Sequence, residues 1–243
     1  ICTDGKDITK SSVYNENDPY VNRDLRLYAS IFLPPLGSYK GTEFKGKNYN
    51  CFLGANKSDS YNRYTLFNGY CPKKGLDATV TDLYSTYTYT PLMRYAEVLL
   101  SYLEAVNESA PSTVTQSMLD KTINDVRNRV NLPAIQLSEV NTQALLRDAV
   151  RKERRVELAF EGFRYFDVLR WGTALQELNH TFTGVKLSDD PTAANYRGSG
   201  STASPVDENM YYKFETRAWD SHNRYFPIPQ NDLNINKNLT QNP

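Results

Sequence analysis

The stretch that decides the fold is Arg151-Lys152-Glu153-Arg154-Arg155-Val156-Glu157-Leu158-Ala159-Phe160-Glu161-Gly162, continued by Phe163-Arg164-Tyr165-Phe166-Asp167 and Arg170-Trp171-Gly172. Glu153, Glu157 and Glu161 recur at i, i+4 and i+8, which places three carboxylates on one helical face. Upstream, Leu145, Leu146, Ala149, Val150 and Val156 form an apolar stripe. The spacing predicts a helix that starts near Asn141 or Thr142 and ends at Gly162 as a left-handed cap. A shorter helix is expected from about Arg164 to Trp171.

Two further helices are expected before it. Thr90-Pro91 reads as an N-cap with proline at the first helical position. Leu92, Tyr95, Ala96, Leu99, Tyr102, Leu103 and Val106 continue it, up to Pro111. Met118, Leu119, Ile123, Val126 and Val130 mark the next helix, from Thr115 or Ser117 to Asn131-Leu132-Pro133. Short connections imply antiparallel helix pairs of tetratricopeptide type. The chain thus divides into a loop-rich, Tyr/Asn-rich part (1–90), a helical part (91–180) and an irregular C-terminal part (181–243). Within the flanks, Leu25 to Leu33 alternates like a strand, as do Tyr84, Tyr87 and Tyr89 among threonines, and Tyr211 to Phe214. The polar run from Ser188 to Ser204 reads as a mobile surface loop.

Composition narrows the function. The 243 residues carry 28 basic and 28 acidic side chains, so no net charge recommends nucleic acid or an anionic membrane as a partner. The longest mainly apolar stretch, Ala96 to Leu103, is far short of the ~20 residues of a membrane span. No GxSxG, P-loop, GxGxxG, HExxH or EF-hand pattern occurs. With no CxxC and only His180 and His222, neither a zinc site nor any other metal site or cofactor is expected. Asp189-Asp190 reads as a solvated pair. Cys51 and Cys71, with 19 residues between them, can close a loop in an exported protein, which would stabilise by about 3 kcal/mol, or stay as thiols in the cytoplasm. Cys2 has no apolar leader before it in this sequence.

Two readings of the carboxylates compete. Two of Glu153, Glu157, Glu161 and Asp167 can be assigned as acid and nucleophile of a glycoside hydrolase. Yet a general acid needs a raised pKa, and arginine neighbours lower it. Arg94, Glu97, Arg127, Glu153, Arg154, Arg155, Glu157, Glu161, Arg164, Asp167 and Arg170 are therefore read as a structural ion-pair network with no catalytic residue among them. The ligand-binding candidates lie instead in the first part, which holds many of the chain's 18 Tyr and 22 Asn. Tyr39, Phe44, Tyr49, Asn50, Tyr61, Asn62 and Tyr64 can stack on sugar faces while amides bind hydroxyls.

Five ordered motifs carry a family resemblance. Leu92-Met93-Arg94-Tyr95-Ala96-Glu97-Val98-Leu99-Leu100 with Glu104-Ala105 resembles the PLxRYAEVLLxYAEA helix of the SusD/RagB family. Asn124 to Pro133 resembles its NxIRxRAGLP segment. Glu153 to Asp167 with Arg170-Trp171-Gly172 is similar to ERRxELAFEGxRxFDLxRWG. Phe226-Pro227-Ile228-Pro229 and Asn238 to Pro243 look like the WPIP and NPxLxQNPGY ending. Asp18-Pro19 and Asp24 to Ala29 resemble DPRLxAT, though Asp24-Leu25-Arg26 lacks the proline of DPR.

The resemblance implies a mainly α, tetratricopeptide-like fold with loops and short strands. It implies a cell-surface lipoprotein of the Bacteroidetes outer membrane that captures glycans for a SusC-like TonB-dependent transporter. In the RagB branch the cargo is a peptide. The matches correspond to the C-terminal half of a family member, so the chain's own N-terminal half, with the lipid anchor, is an expected partner. A self-contained globule of this mass exposes about 11,000 Å². A piece of a longer array exposes clearly more, with an apolar patch of more than a few hundred Å².

Overall fold

The computed structural model describes residues 1–44, 47–49, 69–77, 91–193 and 195–242, with the side chains of residues 44, 47–49 and 202 outside the description. The strand expected at Tyr84–Tyr89 and the thiol of Cys51 lie outside the described residues, whereas Cys2 and Cys71 are free thiols.

Two long antiparallel helices form the centre, α2 (Tyr95–Ser109) and α5 (Gln143–Glu157). Between them run two short helices, α3 (Gln116–Asp120) and α4 (Ile123–Asn128). Leu99, Leu100 and Leu103 of α2, Leu119, Ile123 and Val126 of α3 and α4, and Leu146 and Val150 of α5 form the main apolar core. Asn107 and Gln143 lock the far end of the pair, each donating its side-chain amide to the other's backbone carbonyl at 3.0 and 2.8 Å. The helix starts follow capping chemistry. Thr115 Oγ1 accepts from Met118 N and Thr142 Oγ1 from Leu145 N, both at 3.2 Å.

The departures from sequence expectation each have a local cause. The helix expected from Pro91 begins only at Tyr95, because Arg94 is extended and turns its side chain onto α5. The helix expected across 115–130 is two helices. Thr122, at the break, donates its hydroxyl to the Met118 carbonyl at 2.6 Å, a bond that competes with helical continuity. The third helix ends at Glu157 and not at Gly162. Lys74 Nζ donates to the carbonyls of Glu157 (2.8 Å) and Ala159 (3.1 Å), and Arg94 Nη2 to that of Glu157 (3.0 Å). Distant cations thus satisfy the helix end. Phe160 takes the left-handed turn there (φ 65°), and Gly162 (φ 84°) opens the next helix, α6 (Phe163–Arg170). A further short helix, α7 (Ala174–Leu178), follows.

Leu25 to Leu33 is not one strand. Asp24 caps a helix, α1 (Leu25–Ser30), by accepting from Arg26 N at 2.9 Å, and only β1 (Ile31–Phe32) is extended. β1 pairs antiparallel with β4 (Cys71–Pro72), and β2 (Thr42–Phe44) with β3 (Lys47–Tyr49). The C-terminal part holds the third antiparallel pair among the described residues, β5 (Thr181–Lys186) with β6 (Tyr211–Thr216), which extends the strand expected at Tyr211–Phe214. Gly69 (φ 77°) packs against this ribbon so closely that a Cβ would fall 2.5 Å from Val185. The 188–204 loop is tied to the ribbon: Asn195 Nδ2 donates to Lys186 O at 3.0 Å, and Ser188 and Arg197 are joined through Arg197 N and Ser188 O at 3.1 Å. A short helix, α8 (Gln230–Ile235), lies near the C-terminal end.

Leu92, Met93, Tyr95, Val98 and Tyr102 present an exposed apolar face at the start and along one side of α2. Among the described residues no helix is long and apolar enough to cross a membrane.

Candidate functional site

The helical charge cluster forms a buried layer between α5 and three other parts of the chain. Glu153 and Glu157 are 1% and 2% exposed. Glu153 Oε1 accepts from Arg26 Nη1 at 2.6 Å and its Oε2 from Arg127 Nη1 at 2.9 Å. Glu157 accepts from Arg94 (2.9 Å), from Arg26 (3.1 Å) and twice from Arg129 (2.8 and 2.7 Å). Glu161 is held by both nitrogens of an Arg94 fork at 2.8 and 2.7 Å, and by Lys74 at 2.5 Å. On the other side of α5, Arg154 donates to Asp167 at 2.8 Å, and Arg170 bridges Asp167 (2.9 Å) to Glu104 (2.6 Å). Trp171 Nε1 completes Glu104 at 2.7 Å.

Two carboxylates of the layer are tuned in the direction opposite to a general acid. Burial works to raise the Glu161 carboxyl, but the hydrogen bonds from Arg94 and Lys74 outweigh it and hold it below the usual carboxylate range. Glu104 behaves alike: burial is outweighed by Arg170 and Trp171. A general acid needs the opposite. Glu153 does line a cleft of about 620 Å³ between the N-terminal loop and α5, but both its oxygens are taken by guanidinium groups.

Of the residues assigned to the network from the sequence, Glu97 makes no ion pair among the described residues. Among the described residues Arg155 pairs with Glu177 alone, at 3.9 Å, and Arg164 bonds the same carboxylate at 2.5 Å. Arg26, Lys74, Arg129 and Glu104 belong to the layer and were not read from the sequence. The Asp24 cap and the resemblance at Asp24–Ala29 were the available signals for Arg26. Among the described residues no group of three His, Cys, Asp or Glu is placed to hold a metal ion.

The ligand-binding candidates separate. Tyr39 sits in a tyrosine cluster at the root of the Tyr/Asn-rich stretch. It stacks on Tyr28 with ring centres 5.9 Å apart and meets the edge of Tyr20 at 5.9 Å. Tyr20 and Tyr70 share a hydroxyl–hydroxyl bond of 2.9 Å, and Tyr28 OH donates to Tyr20 O at 2.6 Å. The cluster therefore fixes both ends of the stretch, at Tyr39 and Tyr70. Phe44 and Tyr49 lie in the β2–β3 hairpin just beyond Tyr39. Asn50, Tyr61, Asn62 and Tyr64 lie outside the described residues.

Comparison with known proteins follows the same architecture. The SusD family model matches residues 2–243. A SusD-like carbohydrate binding protein from Bacteroides fragilis superposes with a TM-score of 0.80 at 34% identity, over 99% of this chain and 46% of that one. A second SusD-like protein from the same species gives 0.69 at 23% identity, over 100% and 44%, and supports the fold alone. SusD-like protein P2 of Formosa agariphila is 41% identical over 92 residues, which are 35% of this chain and 17% of that protein. The chain thus spans less than half the length of these relatives. By the match of the family model to almost its full length, the chain belongs to the SusD family.

Proposed function

We propose that this protein captures a glycan at the cell surface and passes it, uncleaved, to a SusC-like TonB-dependent transporter in the outer membrane. The observation that carries the reading is the joint one: the chain matches a SusD-like carbohydrate binding protein over 99% of its length, and its conspicuous carboxylates are locked in arginine pairs. The helical part then serves as scaffold, and the stretch rooted on Tyr39 and Tyr70 supplies contacts that vary with the ligand. The exposed apolar face of α2 is the place where the remaining helices of a longer chain pack, with a lipid anchor ahead of them. Capture for transport favours weak binding, with Kd on the order of μM to mM, or about −8 to −4 kcal/mol.

A panel of immobilised glycans and peptides, probed with the protein, tests this. Retention of one glycan class supports the reading. Retention of peptides alone replaces the cargo with the one of the RagB branch. No retention of either leaves a scaffold whose partner is the transporter, and overturns glycan capture.

A further inference from the structure

The cleft of about 620 Å³ between the N-terminal loop and α5 shares no lining residue with the Tyr/Asn-rich stretch. Its volume falls within the range of about 300–1,000 Å³ usual for small-molecule sites. Its wall carries four cations, Lys6, Lys10, Arg127 and Lys152, and four carboxylates, Asp4, Asp7, Glu139 and Glu153. The charges balance, but the hydrogen bonds do not. Each of these carboxylates already has a donor. Asp4 accepts from Ser11 Oγ at 2.9 Å and from Lys6 N at 3.1 Å. Asp7 is paired with Lys152 at 2.6 Å, Glu139 accepts from Gln136 N at 2.9 Å, and Glu153 is held by Arg26 and Arg127. Lys6 and Lys10 are exposed, and their ammonium groups make no hydrogen bond or ion pair among the described residues.

Arg127 adds a donor from within. Its side chain is fixed: the residue is 6% exposed, Nε donates to Pro133 O at 2.8 Å, and Nη1 donates to Glu153 at 2.9 Å. The remaining nitrogen, Nη2, has no acceptor among the described residues, and it is not one of the atoms sealed from solvent. A guanidinium held on two nitrogens and open on the third marks a place where an acceptor belongs. Gly5, in the same wall, keeps that nitrogen uncovered. At its φ of 77° a Cβ would fall 2.5 Å from Nη2. We infer that this cleft is a subsite for an acidic sugar residue of the captured glycan, whose carboxylate or sulfate accepts from Arg127 Nη2. Such a group only accepts, so it answers a wall whose surplus is in donors. Arg26 shares Glu153 with Arg127, which leaves part of the Arg127 charge to a ligand. Lys6 and Lys10 draw the anion to the mouth. Pro133, Ala134 and Ile135 offer apolar surface to the C–H groups of the ring, and Asp4 and Glu139 keep lone pairs for its hydroxyls. A guanidinium already held in place loses little freedom when the acid arrives.

The inference rests on the reading of the protein as a glycan-capture protein, and one series of titrations separates the two. The glycan panel is extended by oligosaccharides of galacturonate, glucuronate and mannuronate, each beside its methyl ester, and by sulfated galactan oligosaccharides beside their desulfated forms. Binding is followed by calorimetry. The expected result is that an acidic member binds about tenfold more tightly than its neutral counterpart, the size of one charge-assisted hydrogen bond, and that added salt narrows the gap. Whether the uronate or the sulfate arm binds identifies the acid. Gly5→Ala, which sets a methyl group against Nη2, should remove most of the preference. The double variant Lys6→Ala, Lys10→Ala alters exposed side chains, so it should raise Kd for the acidic member severalfold with the melting temperature unchanged, and it decides the matter if Gly5→Ala does not fold. Equal binding of acidic and neutral counterparts, or an acid preference that both folded variants retain in full, overturns the subsite and leaves glycan capture standing. No binding of any member of the panel to the wild type overturns both.

Discussion

Arg26 and Glu153 stand 127 positions apart and meet at 2.6 Å, with the same guanidinium nitrogen 3.1 Å from Glu157. This one side chain fastens α1 to α5 inside the protein. Its Nε and Nη2 are meanwhile spent on Asp24, the cap of its own helix, at 2.7 to 3.1 Å. The helix that carries Arg26 and the capping residue that starts it thus belong to the same layer of charge.

Removing that guanidinium should be costly. Arg26→Ala leaves Glu153, Glu157 and Asp24 buried with fewer partners, and breaking a buried pair costs about 3–5 kcal/mol. Urea denaturation should show a midpoint lowered accordingly. A midpoint like that of the wild type would place the net weight of the layer elsewhere.

The layer also sets the acid limit of the fold. Glu161 and Glu104 are held below the usual carboxyl value of 4.5 in the folded protein, as burial is outweighed by their cationic partners. A carboxyl depressed by folding adds stability that is present above its unfolded pKa and lost as pH falls through the folded one. The melting temperature is therefore expected to hold from neutral pH to about pH 5 and to fall below that. A protein that grew more stable on acidification below about pH 4.5 would contradict these partners.

Gly69 and Gly162, both with left-handed backbone, should respond differently to alanine. At Gly69 a Cβ falls 2.5 Å from Val185, so Gly69→Ala adds overpacking to backbone strain, about 2–4 kcal/mol in all. At Gly162 no atom lies within 4 Å of the added Cβ, so Gly162→Ala bears only the strain, about 1–2 kcal/mol. Paired denaturation curves check the order. The reverse order would mean that β5 yields easily to Gly69.

In the tyrosine cluster, Tyr20→Phe deletes the hydroxyl that meets Tyr70 at 2.9 Å. A loss of about 0.5–1.5 kcal/mol in stability is expected from one such bond. Hydrogen exchange should rise at Gly69 to Cys71, where the return end of the Tyr/Asn-rich stretch is fastened. Unchanged exchange there would show that β1–β4 pairing alone holds that end.

How much of this the sequence reveals differs from residue to residue. Glu153, Glu157 and Glu161 announce themselves because helical spacing is local, and their arginine partners within 91–180 are close in the chain. Arg26 does not, because its partners on α5, Glu153 and Glu157, are more than a hundred positions away and only the fold brings them together. Leu25 to Leu33 alternates as a strand does, yet the Asp24 cap and the buried Arg26 make its first six residues helical. Thr122 splits a helix that the apolar stripe alone would carry through, since hydrogen bonding to Met118 O leaves the stripe intact. The binding face is the least legible part. Tyr39 sits in the motif-poor, aromatic-rich stretch that suggests sugar stacking, yet its ring packs on Tyr20 and Tyr28. Composition assigns a tyrosine equally to a ligand or to a core. Trp219 attracts no notice in sequence, since a buried indole N–H without an acceptor among the described residues is a property of its surroundings.

The most direct test of capture without cleavage follows one glycan through binding and release. The protein is titrated calorimetrically with the glycan best retained on the panel, incubated with it for a day, and the glycan is recovered and sized by chromatography. The expected result is μM to mM affinity and a recovered glycan of unchanged length. Shortened products, absent when folded Glu157→Gln replaces the wild type, would contradict the account and make the carboxylate layer an active site.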